Sequence, residues 1–251
     1  MWNMVRLHVR ANFKRLLMYK TASFLSFLGA MCQVALFYCF WRGICDADWE
    51  TLRYVLLARF FFFFVCSNNI WAIAGDIKSG KVALHLTKPI RYLALSFIDF
   101  LSRKVTVFVV QGIPLIMFLL FFVNMKVRWV SLFLCALSVF VSLVICYCLD
   151  FLLSFLCTLT RNHWGVSALR DGIVQISSGA VVPLHMFPLS VGRAMETLPF
   201  AYMIDTPVRI LTASADAAGA LSLQLVYCVL MVALSVAADA VFTKRLQIQG
   251  G

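Results

Sequence analysis

The sequence predicts an all-α membrane protein that crosses the bilayer six times, and three observations predict it. Mean hydropathy is +0.91, with 63% hydrophobic and 13% charged residues in 251; a soluble domain would carry roughly a quarter charged residues. Several apolar runs reach the roughly 20 residues that a helix needs to cross a bilayer core of about 30 Å. Lysines and arginines gather in alternate connecting segments, as cytoplasmic loops require. The same rule accounts for the net charge of +11 without nucleic acid.

Residues 1–20 open the chain. Trp2, Val5, Val9, Phe13 and Leu16 recur at helical spacing, while Arg6, Arg10 and Lys14 take another face. The pattern is that of an amphipathic helix lying in the inner interface, its basic face toward the headgroups. With no apolar core, the stretch does not read as a cleavable signal.

A first span is expected from about Ser23 to Trp41 and a second from about Tyr54 to Ala74, the latter containing Phe60–Phe64. A third covers about Val105 to Val123, and a fourth about Trp129 to Thr160 with Asp150 its only charge. The fifth, about Gly172 to Phe187, is short and meets Pro183 and Pro188; the sixth covers about Leu221 to Phe242. With the N-terminus inside, the inner segments hold fifteen lysines and arginines and the outer segments six, with Arg59 inside a span. Both termini are therefore expected in the cytoplasm of a cell whose plasma or inner membrane holds the chain.

The stretch GDIKSGKV, Gly75 to Val82, has nearly the spacing of a phosphate-binding loop. Such a loop needs a strand before it and a Ser or Thr after the lysine to reach magnesium. Here Val82 takes the hydroxyl position and a membrane span precedes, so the likeness is accidental. The segment 75–89 instead reads as a short cytoplasmic helix. Asp76 is expected to cap its start, and Pro89 disfavours helical geometry in the residue before it. Ile77 with Leu84, and Val82 with Leu86, form apolar stripes between lysines, which suits a docking knob or an idle interfacial loop.

The nine cysteines form no CxxC pair and no zinc-type spacing and read as small apolar packers. Only Cys45 is expected on the outer side, so no disulfide framework and no metal site are anticipated. The histidines fall in loops and boundaries.

At I-K-S-G-K-V-A-L-H-L-T-K-P, Ile77 to Pro89, the chain resembles the permease subunits of type-two ABC transporters. It is similar in particular to a small six-span branch reading I-x-x-G-x-L-x-x-x-L-x-[KR]-P there, with Val82 departing mildly from the preferred Leu. LPFAYMIDTPVRIL, Leu198 to Leu211, and the terminal RLQIQGG carry the likeness onward. The resemblance implies a permease without ATPase activity, paired with a second permease, identical or sister. Separate cytoplasmic ATP-binding subunits would hold ATP and Mg and drive export. Segment 75–89 would be the coupling helix, with Ile77, Gly80, Val82, Leu84, Leu86 and Pro89 as the ATPase-docking set. Residues 183–211 would be an outer re-entrant region, with Pro183, Pro188, Pro199, Phe200, Tyr202 and Pro207 at an external gate. The N-terminal helix would transmit tilt into the first span.

Polar side chains at membrane depth face protein or a cavity by default. Asn68 and Asn69 lead the candidates for a translocation path, followed by Gln33, Gln175, Ser177 and Ser178; interhelical bonding is the alternative for each. Arg59 is expected to snorkel outward, and Asp150 to emerge at the inner interface. An ATP-independent channel or scaffold remains a competing class, as does a membrane-embedded enzyme, although no catalytic constellation gathers at one depth.

Overall fold

In the computed structural model the described residues are 10–14, 18, 20–44, 48–66, 69–82, 91–123, 128–160, 163–212 and 217–249. Every regular element among them is helical. Four stretches are long and apolar enough to cross a membrane: Thr21–Gly43, Trp49–Lys78, Trp129–Cys157 and Ala218–Val241. They fall on the expected first, second, fourth and sixth spans. Residues 10–14 of the N-terminal segment are helical, and most of its remainder lies outside the described residues.

Helix α1, Lys20–Cys39, is uncharged after its first residue and widens into a π turn, Phe40–Ile44. Its Phe24, Leu25 and Leu36 are exposed, as lipid-facing side chains are. Helix α2, Trp49–Val65, starts at Asp48, whose Oδ1 accepts from the Thr51 amide at 3.1 Å; this satisfies one of the free donors of the first turn. The second span is not one continuous helix. It is interrupted at Cys66 and Asn69 and resumes as α3, Ile70–Lys78. Asn69 is the residue from which α3 starts, and its side chain makes no capping hydrogen bond there.

Helix α4, Tyr92–Val107, passes through a π turn, Phe108–Gly112, into α5, Ile113–Val123. Pro114 lacks the N–H that would bond back along the helix, and the widened turn lies just ahead of it. The stretch expected as the third span falls on these residues, which are not among the four long apolar helices. Helix α6, Trp129–Thr160, keeps the bounds read from the sequence and lies at the centre, against α2, α3, α4, α7, α9 and α10. Along it Ser138, Ser142 and Ser154, with Cys135, Cys146 and Cys157, are buried. Small side chains let helices approach closely where lipid supplies no hydrophobic drive for association.

The expected fifth span needs correction. Helix α7 is His163–Ser177, so it starts nine residues before Gly172 and ends well short of Phe187. Gly179 turns the chain away at φ 76°. Pro183 and Pro188 then begin a 3-10 turn, Leu184–Met186, and helix α8, Leu189–Glu196. Both starts use the fixed φ of proline. Helix α9, Ala201–Leu211, contains Pro207 and packs on α2, α6 and α10. Helix α10, Ala217–Gln249, closes the bundle with Leu223, Val226, Val229 and Leu230 facing outward.

Gln224 is the polar knot of that last packing. Its Nε2 lies 3.0 Å from the Ser138 carbonyl, 2.8 Å from Ser142 Oγ and 2.9 Å from the Tyr202 carbonyl, and its Oε1 accepts from Ser138 Oγ at 2.8 Å. Gln224→Leu leaves several of these groups unpaired in an apolar setting. The expected result is a loss of about 1–2 kcal/mol, read as a lower midpoint of thermal unfolding in detergent.

Candidate functional site

The interruption of the second span gathers the charges that the sequence placed elsewhere. A helix that stops at membrane depth leaves carbonyls unpaired at its end and amides unpaired at the next start. No water is available there, so protein must fill them. Lys104 Nζ donates to the carbonyls of Phe64 at 2.5 Å and Val65 at 2.8 Å. Arg170 Nη1 donates to the Cys66 carbonyl at 2.7 Å. On the other side of the gap, the Asn69 amide donates to Asp150 Oδ2 at 2.9 Å. Arg170 Nε closes the set on Asp150 Oδ1 at 2.8 Å. Two cations thus face the negative end of α2, and one carboxylate faces the positive start of α3, as the helix dipole favours.

These positions correct three expectations. Lys104 and Arg170, counted as inner-loop charges, are 3% and 2% exposed. Asp150 does not emerge at the interface; its side chain is fully buried against Arg170. Arg59 does not snorkel: it is 6% exposed, its guanidinium 4.7 Å from the Phe37 ring centre and 5.1 Å from that of Phe62. Lys104 and Arg170 were findable only as polar residues at the margins of apolar runs, a signal shared with ordinary loop residues, whereas Asp150 and Arg59 stood inside expected spans.

Asn69 stands as a buried membrane-depth residue, and Arg103 Nη2 donates to its Oδ1 at 2.7 Å. Asn68 lies outside the described residues. Gln33 is on the exposed face of α1 and Gln175 is half-buried. Ser177 Oγ donates to the Ile173 carbonyl at 2.6 Å, and Ser178 is buried with its hydroxyl unpaired. Of the five described candidates, Asn69 alone lines the cleft between α3 and α4.

Beside Asn69 a cleft of about 100 Å³ opens between α3 and α4. One stripe of α3, from Asn69 to Asp76, faces one stripe of α4, from Tyr92 through Ser96 and Asp99 to Arg103. Tyr92 Oη donates to Asp76 Oδ2 at 3.2 Å. Burial, with the Asp76 charge beside it, pushes the Tyr92 phenol well above its ordinary pKa, so it stays a donor. Arg103 pairs with Asp99 at 3.2 Å.

The elbow below the cleft also departs from expectation. Asp76 caps no helix start; it lies in the last turn of α3, which runs unbroken through Gly75. The turn falls at Ser79 and Gly80, with Gly80 at φ 68°. That left-handed conformation at a helix end is why glycine stands there. Gly80 and Lys81 are exposed, Ile77 is half-buried, and Val82 is 2% exposed within the chain's own core. Leu84, Leu86 and Pro89 lie outside the described residues. The elbow is fastened on two sides. Lys78 Nζ lies 2.8 Å from His163 Nδ1, Trp71 Nε1 donates to Ser167 Oγ at 3.1 Å, and Tyr92 holds Asp76.

At the opposite end, Tyr54 Oη donates to Asp205 Oδ1 at 2.7 Å, and Arg209 Nε pairs with Asp205 at 2.5 Å. Tyr202 stacks on Tyr227 at 5.1 Å, and Tyr227 Oη donates to the Thr197 carbonyl at 2.5 Å. Pro183 and Pro207 are buried, Pro199 and Phe200 half-buried, and Pro188 exposed. α7 spans the distance between these ends: His163 meets the elbow, and the chain just past Ser177 meets Tyr54 at Gly179.

A family model described as ABC-2 family transporter protein matches residues 16–250. No curated protein matches the chain.

Proposed function

The chain belongs to the ABC-2 transporter family, and from that premise we propose that it is the membrane permease of an ATP-driven exporter. It works as a dimer with an identical or sister permease, in a plasma or inner membrane. Cytoplasmic ATP-binding subunits carry the ATP and Mg chemistry and dock on segment 75–89. Gly80 and Lys81 with Leu84, Leu86 and Pro89 form the contact, while Ile77 and Val82 anchor the elbow to this chain. The observation that carries this reading is the fastening of the elbow. A lever must be free at its tip and tied at its root, and the glycine turn is exposed while α3 behind it is tied to α4 and α7.

Closing the two ATP-binding subunits moves the elbows. α3 turns about the interruption at Cys66 and Asn69, and the Lys104, Arg170 and Asp150 contacts limit its swing. α7 passes the shift to Gly179 and Tyr54, and so to α9 and the outer gate formed by residues 183–211. ATP moves this equilibrium only by its unequal affinity for the inward and outward states.

Co-purification with a candidate ATP-binding subunit from an adjacent reading frame tests the reading. The native complex is expected to co-elute and to hydrolyse ATP in a vanadate-sensitive manner. Leu84→Glu is expected to abolish co-elution while membrane insertion stays normal. Gly80→Glu is expected to do the same, but it also strains the left-handed turn, so Leu84 is the cleaner probe. Unchanged co-elution of Leu84→Glu would remove the docking assignment.

A further inference from the structure

One of the three contacts that fasten the elbow contains a histidine. Lys78 Nζ, at the end of α3, lies 2.8 Å from Nδ1 of His163, the first residue of α7. A lysine ammonium has three donors and no acceptor, so the contact requires a lone pair on Nδ1. That makes the imidazole neutral, with its proton on Nε2. An imidazolium donates from both nitrogens; it would offer Lys78 no acceptor and would set a second positive charge against it. Lys78 is exposed and His163 half-buried, so protons from water reach the pair.

The surroundings do not offset that second charge. Among the described residues neither Lys78 nor His163 pairs with a carboxylate. On α3, Asp76 is drawn to Tyr92 on the α4 side. On α6, the Cys157 thiol lies near Lys78. Farther along α7, Arg170 and Asp171 pair with one another. Of these side-chain types, only imidazole ordinarily changes charge between pH 5 and 8. The other tie to α7 behaves differently. Trp71 packs its ring 4.4 Å from that of His163 and donates through Nε1 to Ser167 Oγ at 3.1 Å, contacts that need no lone pair on the imidazole.

We propose that Lys78 and His163 form a proton-operated catch: neutral His163 holds the last turn of α3 to the start of α7, and protonated His163 releases it. The tie is complete on the alkaline side and is lost as the pH falls. As a control of transport the catch rests on the lever reading of segment 75–89. With the catch open, the tip of α3 is untied, and movement of the elbow reaches α7 only through Trp71.

The test is hydrogen exchange of the full chain in phosphatidylcholine nanodiscs at about pH 8 and about pH 5.5, either side of the ordinary imidazole titration. The reference is His163→Gln, whose side-chain oxygen accepts from Lys78 at either pH and takes up no proton. Comparing the two chains at equal pH cancels the intrinsic pH dependence of exchange. For the amides of residues 75–80, the ratio of native to variant exchange rates is expected to rise about fivefold from the higher pH to the lower, the worth of one ordinary hydrogen bond. A ratio that stays within about twofold overturns the proposal. If His163→Gln fails to fold, Lys78→Met takes its place, because it lacks the tie at both pH values. The native-to-variant ratio is again expected to rise about fivefold on acidification, and a constant ratio again overturns the catch. A constant ratio with intact co-elution of the ATP-binding subunit sinks the catch alone; a rising ratio with failed co-elution leaves the catch and sinks the permease reading.

Discussion

Replacing Arg170 with methionine is expected to lower the stability of the solubilised chain by about 3–5 kcal/mol, the cost of breaking a buried ion pair from one side. Arg170 contacts Asp150, the Cys66 carbonyl, Asp171 and the Cys146 sulfur, so the substitution unpairs more than one charge. Asp150 would be left fully buried with the Asn69 amide as its remaining partner. The measurement is the thermal midpoint in detergent together with the monodisperse fraction on size exclusion. Arg170→Lys keeps the charge but not the planar fork and is expected to fall between the native chain and Arg170→Met. Removing both charges with Asp150→Leu and Arg170→Met is expected to recover part of the loss, because the buried Asp150 carboxylate is no longer left without its cation. Full recovery would contradict the role given to the pair, since the Cys66 carbonyl and Asn69 amide would still lack their partners.

The second large effect is expected at Gly179. Its φ of 76° is left-handed, and an added Cβ would lie 2.8 Å from Tyr54 Oη and 3.3 Å from Leu184 Cγ. The Tyr54 ring is rigid, and its hydroxyl is committed to Asp205 at 2.7 Å. Gly179→Ala therefore carries a backbone cost of about 1–2 kcal/mol and strains a bond to a charged group worth about 1.5–3 kcal/mol. A total loss of about 2–4 kcal/mol is expected by thermal unfolding. Tyr54→Phe removes the oxygen that the new methyl group would meet. The double variant is thus expected to be less destabilised than the sum of the two single ones; strict additivity would mean that the overlap does not govern this turn. On the proposed exporter reading, Gly179→Ala in the complex with its ATP-binding subunits is expected to raise ATP hydrolysis without transport, because the contact of Gly179 with Tyr54 would no longer link the elbow to the proposed outer gate.

The spans were legible because transfer of a helix into lipid is nearly a sum over its own residues. The apolar run from Trp129 to Thr160 reads directly as α6, and the runs near Ser23 and Leu221 as α1 and α10. Gly80 was legible as a special position in the elbow, although its reason is the left-handed turn at the end of α3. Asn69 was legible as a polar residue at membrane depth. That it starts a helix, and that Arg103 fixes its amide, was not.

Lys104 and Arg170 were misplaced because counting charges by segment assigns every cation at the edge of an apolar run to the interface, and Asp150 because the helical rise from Trp129 alone carries it to the inner surface. Whether such a cation is exposed or buried depends on whether backbone groups elsewhere need it. Here they do: the Cys66 carbonyl and Arg170 are 104 residues apart, and the Asn69 amide and Asp150 are 81 apart. Composition and periodicity thus determined by themselves an all-helical membrane chain and where its long apolar helices run, since both follow from local sums of transfer energy and helical spacing. Only the tertiary structure decided that the second of them is interrupted and that three charges lie inside the protein, because an unpaired backbone group in hydrocarbon is satisfied by whichever side chain the fold brings to it.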